Sequence, residues 1–185
     1  TISIGEAELI YTEDEIPIRY DGSLSTIQKE KNSMYFFHSF GCRLKPEDKR
    51  RSRHSWHYGP PEDPLKVHHF SKTDDEFWDY NGYYPNMEQE GIWILGMYQG
   101  NDGNLLAITH SEVRDFPGER ENQVFAIGLG YSTDQGASWT YCGEIARAAD
   151  PHRNVGGGAY IIKDGYLYVY YNDGDINDGI KRICV

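Results

Sequence analysis

The stretch "YSTDQGASWTYCGEI", residues 131–145, sets Ser132, Asp134, Gly136 and Trp139 at fixed offsets, S-x-D-x-G-x-x-W. Each residue type has a local task. An Asp side chain caps backbone N–H groups of its own turn, Gly accepts a positive φ, and Trp supplies a large apolar face. The pattern therefore reads as a tight turn leading into a strand, 138–145. A decayed copy occurs earlier, "FSKTDDEFW" at 70–78, with Asp74 one place late and no Gly. Ser71 and Ser132 lie 61 residues apart, as do Trp78 and Trp139. A second echo sets "NDGNLLAI" at 101–108 against "KDGYLYVY" at 163–170, with Asp102 and Asp164 62 residues apart. Self-similarity at a fixed period is the mark of a repeat architecture.

Four short strands fill the clearest period: 91–97, 104–110, 124–131 and 138–145. Asn101-Asp102-Gly103 makes the first hairpin, because Asp-Gly suits the positive φ of a tight turn. An earlier unit reads as 22–28, 33–39, 66–70 and 76–80, with a long charged loop over 40–65. A third reads as 157–162, 166–172 and 180–185, and an extra strand, 6–11, opens the chain. Repeated four-stranded antiparallel units predict an all-β fold, a β-propeller with blades at 22–80, 91–145 and 157–185. The rival is a β-sandwich, which leaves the period unexplained. Three blades fall short of the roughly four to eight of a closed ring. The expectation is a single domain, 1–185, completed by further blades of a longer polypeptide or by a second copy.

Composition agrees. The 185 residues include 15 Tyr, 7 Phe, 4 Trp and 20 Gly, a balance that favours strands and turns over helices. A net charge of −11 argues against a nucleic-acid partner. No apolar run approaches the ~20 residues of a membrane-spanning helix. Cys42, Cys142 and Cys184 give an odd count without metal-ligand spacing, so no metal site is read from them, and Cys142, within a strand, is expected to be buried. The acidic loop "DGDINDG" at 173–179 admits a structural calcium, although it lacks the twelfth-position Glu of an EF-hand loop. No other cofactor is expected. The opening "TISIGEAELI" has neither a basic nor an apolar segment of signal-peptide type.

Ser132, Asp134, Gly136 and Trp139 together resemble the Asp-box, or BNR repeat, of sialidases and related propellers. Beyond the box, "IRYDGSLS" at 18–25, "DGNLLAITHSE" at 102–112 and "NVGGGAYIIKDGYLYVYYND" at 154–173 resemble the five-bladed propeller glycoside hydrolases. That resemblance implies a five-bladed parent, a carbohydrate substrate and a secreted or periplasmic location. It maps the Asp that activates water or orients substrate to Asp21, and the acid to Glu112. The departure from sialidases is plain: Arg19 follows Pro17 rather than preceding it, and Arg114, Arg147 and Arg153 have no spacing that marks a carboxylate-binding triad.

Strand direction gives an independent argument. Residues before a blade's first strand and after its second share one rim. That rim collects Asp21, Glu90, His38, His110, Glu112, Asn154 and Asp173. Glycoside hydrolysis needs two carboxyl groups, one protonating the leaving oxygen and one activating water or attacking carbon. Asp21 and Glu112 are the expected pair, with His110 as an alternative acid because its ordinary pKa lies near neutrality. Alternation puts His110 and Glu112 on one face of their strand and Ser111 on the other. His38, Glu90, Asn154 and Asp173 are the candidate substrate ligands, and the Gly156-Gly157-Gly158 run either admits a ligand close to the backbone or makes a bulge. The alternatives are a glycan-binding propeller without turnover and a sialidase-like exo-glycosidase.

Overall fold

A computed structural model describes residues 5–6, 25–30, 33–41, 52–60, 62–63, 66–73, 77–83, 88–114, 123–150, 153–175 and 179–185. Twelve strands are described: β1 (Ser25–Glu30), β2 (Ser33–Gly41), β3 (Ser52–Gly59), β4 (Val67–Thr73), β5 (Trp78–Asp79), β6 (Glu88–Gln99), β7 (Leu105–Arg114), β8 (Gln123–Ser132), β9 (Trp139–Arg147), β10 (Arg153–Lys163), β11 (Tyr166–Asp175) and β12 (Lys181–Cys184). They form three sheets, ordered β1-β2-β3-β4, β5-β9-β8-β7-β6 and β10-β11-β12. Every pairing is antiparallel except the short β5–β9 contact. The curled assembly sweeps an arc of ~205°, an all-β, propeller-like arrangement. Among the described residues, no helix is long and apolar enough to cross a membrane.

The second sheet lies between the other two. Toward the first it presents Ile92, Ile94, Leu105, Ala107 and Tyr141, which form one buried cluster with Ile27 of β1 and with Phe77 and Trp78 at β5. Toward the third it presents Ile108, Phe125 and Ile127, which pack with Val155 and Val169. Burial on both faces explains why its strands read as continuous apolar runs, "GIWILGM" and "LLAIT", instead of alternating.

The hairpin echo marks turns at matching places, five residues long between β6 and β7 and two residues long between β10 and β11. Asp102 caps the N–H of Asn104 at 3.1 Å between β6 and β7, and Asp164 takes a φ of 53° between β10 and β11. The Trp echo does not. Ser71 lies in β4, the fourth strand of its sheet, whereas Ser132 ends β8, the third strand of the next. Trp78 and Trp139 are neighbours in one sheet, aligned across the β5–β9 contact.

The first unit also departs from expectation. β3 lies inside the stretch read as a loop over 40–65, so the strand expected third becomes β4, and the strand expected at 76–80 shrinks to β5 and leaves for the second sheet. The cause is composition. "SRHSWHYG" carries charged and His side chains that read as solvated, yet His54 is buried, stacked on Phe77 with ring centroids 4.3 Å apart. Cys142 is exposed rather than buried, since its neighbours Tyr141 and Gly143 take the inward positions. Apart from Glu6, the strand expected at 6–11 lies outside the described residues, as do Cys42 and Asp21.

Candidate functional site

β6 and β10 pack against one another. Leu95 sits where a Cβ on Gly158 would be, 2.7 Å away, and the Tyr160 ring sits 2.9 Å from the Cβ position of Gly96. Tyr160 Oη then donates to the Met97 carbonyl, 63 residues away in sequence. This interlock brings the start of β10 and the ends of β7 and β11 to one end of the inner strands. Register across the sheets sets Glu112 beside Gly91 and Asp173 beside Val155.

His110 occupies the seam between the second and third sheets. Its ring lies 6.0 Å from those of Trp93 and Phe125, and its Nε2 lies 3.5 Å from the Cβ position of Gly156. Nε2 is buried without a hydrogen-bond partner. Burial lowers the pKa of this imidazole to about 4, because the charged form loses its hydration. At neutral pH it is therefore neutral. The expectation of a pKa near neutrality is therefore not met, and the described contacts of the ring are packing contacts with Trp93, Phe125 and Gly156.

Asn154 Oδ1 comes within 3.0 Å of the same Gly156 Cβ position, so Asn154 and His110 converge on one glycine. Asp173 is engaged by Arg153, with Nη2···Oδ2 at 2.8 Å and Nε···Oδ1 at 3.0 Å. This two-point pairing raises the Arg153 pKa and holds it as a cation. It also commits a carboxylate counted toward the calcium loop. Among the described residues there is no group of His, Cys, Asp and Glu side chains arranged to hold a metal ion. Glu112 is partly buried at the end of β7, and Ser111 points the other way, its hydroxyl 3.3 Å from that of Tyr141. Glu90 lies within β6, at the register shift between Gln89 and Gly91, rather than before the strand. His38 lies in β2, opposite Ser55.

The Gly156–Gly158 run spans the register shift of the β10–β11 ladder, the bulge that the sequence allowed, and neighbouring side chains pack onto it. Gly156 lies under His110. Gly157 takes a φ of 68° with Asn172 Oδ1 2.8 Å from its Cβ position, and Gly158 receives Leu95. Sequence reasoning could not assign these partners, since each comes from another strand.

The S-x-D-x-G-x-x-W segment holds a turn. Ser132 Oγ donates to Asp134 Oδ1 at 2.8 Å and accepts the Gly136 N–H at 2.8 Å. Asp134 accepts the Ser138 N–H at 2.9 Å and its hydroxyl at 2.6 Å, and Trp139 Nε1 donates to the Gly136 carbonyl at 3.2 Å. Burial by itself would raise the Asp134 pKa. The hydrogen bonds from Ser138 and Ser132 outweigh it and hold the carboxyl below its ordinary value. With its hydrogen bonds spent locally, this segment positions a strand.

No family model matches the chain, and no curated protein matches it. Among solved structures it is similar to the Hadza microbial sialidase Hz136, with a TM-score of 0.51 and 10% identity over 86% of this chain. The chain spans 30% of that protein's length. At such low identity the likeness is one of fold.

Proposed function

We propose that this chain is part of a carbohydrate-active propeller, a glycoside hydrolase, whose glycan lies across the end where β7, β10 and β11 bring Glu112, His110, Asn154 and Asp173 together. The observation that carries the reading is the approach of Asn154 and His110 to one glycine, Gly156, at the start of β10. The likeness in fold to a sialidase and the Asp-box resemblance of the turn at 132–139 support it. In this reading Glu112 protonates the leaving oxygen and Asp21 activates water. Neutral His110 and Asn154 orient hydroxyl groups, with His38 and Glu90 as further ligands. The test is glycoside turnover by the full chain and by Glu112→Gln and Asp21→Asn. Loss of about 10²-fold or more in kcat in each variant is expected for essential acid–base groups. Unchanged turnover in either variant removes that residue from the mechanism.

A second reading, glycan binding without turnover, draws on one observation. The Asp173 carboxylate is committed to Arg153, which withdraws one rim carboxylate from acid–base chemistry. Retained binding with no turnover of any glycoside would select this reading.

A further inference from the structure

A cleft of about 270 Å³ opens where the three innermost strands meet, between Ser25–Thr26 of β1, Leu95–Met97 of β6 and Gly158–Tyr160 of β10. It is distinct from the polar set at the strand ends. Glu112 is level with Gly91, four residues from Leu95, or about 13 Å along a strand. β1, β6 and β10 are each the inner edge of their sheet. An edge strand leaves half of its N–H and C=O groups outside the ladder, so the cleft wall offers both donors and acceptors. Ser25 adds another such group. It is 4% exposed, and its Oγ is buried without a hydrogen-bond partner. Burial raises the Tyr160 pKa and keeps its phenol protonated.

Among the described residues, none that lines the cleft carries a charge. The cation at the start of β10, Arg153, is already bound to Asp173. A carboxylate entering this cleft would lose hydration and meet no counter-charge, which is costly. A polyhydroxylated neutral molecule meets a matching set of donors and acceptors. The volume lies just below the usual range for drug-sized ligands, roughly 300–1,000 Å³, and so suits one ring rather than an oligosaccharide.

We propose that this axial cleft is a subsite for a single neutral sugar ring, and that it excludes carboxylated sugars. The choice of a sugar among neutral polyols rests on the carbohydrate reading above. The exclusion of anions rests on the uncharged lining alone, and it sets this subsite apart from one built for an acidic sugar.

The experiment titrates the full chain with methyl β-glucoside, methyl β-xyloside and methyl β-glucuronide, followed by NMR. Glucoside and glucuronide differ only in the carboxylate. Binding of the neutral glycosides is expected, with the glucuronide about tenfold weaker or more, a difference of about 1.4 kcal/mol. Thr26 is exposed at the cleft wall. Thr26→Trp, which fills the cleft, should abolish neutral binding without lowering Tm, and Thr26→Lys should shift preference toward the glucuronide. Equal or tighter glucuronide binding by the unaltered chain, or neutral binding that survives Thr26→Trp, overturns the subsite while leaving the carbohydrate reading intact. A chain that binds none of the three overturns both.

Discussion

The second and third sheets each begin with a hairpin around an Asp-Gly pair and end in different surroundings. In "NDGNLLAI", Leu105 and Ala107 are fully buried against the first sheet, and Ile108 is buried against the third. In "KDGYLYVY", the equivalent Leu167 and Val169 face the second sheet, but Tyr168 and Tyr170 stay 38% and 36% exposed. The third sheet has one covered face, and its other carries Ile161, Tyr166 and Ile183 in the open. Position in the stack decides burial, and the local sequence follows it: small and aliphatic where two sheets press, Tyr where one side is wet.

Cavity formation gives the largest contrast. Leu105→Ala removes a side chain with no exposure, and the surrounding sheets cannot collapse around the gap. A loss of about 3–5 kcal/mol in urea unfolding is expected. Leu167→Ala, at the partly buried equivalent, should cost about 1–2 kcal/mol. Equal costs at the two positions would break the comparison.

The seam between these sheets should also be sensitive to acid. The folded-state pKa of His110 is lowered to about 4, against about 6.5 for an unfolded His. The unfolded chain therefore binds the proton first as pH falls, and stability drops between pH 6.5 and 4 by about 3 kcal/mol. Above pH 6.5 this contribution is constant. Asp134 acts in the same direction in a more acidic window, because its lowered pKa makes its stabilisation disappear as pH falls through the folded value. His110→Phe keeps an aromatic ring between Trp93 and Phe125 and deletes an Nε2 that has no partner. Its unfolding free energy should be flat from pH 7 to 4.5 where the parent chain's falls. A parallel slope in the variant would show that the acid sensitivity arises elsewhere.

What the sequence disclosed follows the range of the interactions concerned. The hairpin at Asp102 and the turn at Ser132–Trp139 were legible because their hydrogen bonds run between residues two to four apart. The middle strands were legible because burial on both faces made them unbroken apolar runs. β3 was hidden by its His and Arg residues, whose partners come from other elements, such as Phe77 against His54. β5 was misplaced because two residues of strand carry no period of their own, and its partner β9 lies 61 positions on. The candidate site shows the same division. Alternation correctly set His110 apart from Ser111, yet the neutrality of His110 and the packing role of Gly156–Gly158 depend on strands far away in sequence.

The smallest expected effect tests the open face. Tyr168→Ser truncates a ring on the outer side of β11, where its cross-strand neighbour is Ile161, itself 47% exposed. If solvent is the true environment of this face, little apolar area is uncovered by the change and stability moves by about 0.5 kcal/mol or less. The loss of β propensity on replacing Tyr contributes within that margin. Urea unfolding of the variant at two protein concentrations gives a sharper result than either alone. A small cost that is independent of concentration means the ring meets only water and its sheet neighbours. A cost above 1 kcal/mol that grows with concentration means the face is covered by another copy of the chain, and that the third sheet is buried on both sides as the second is.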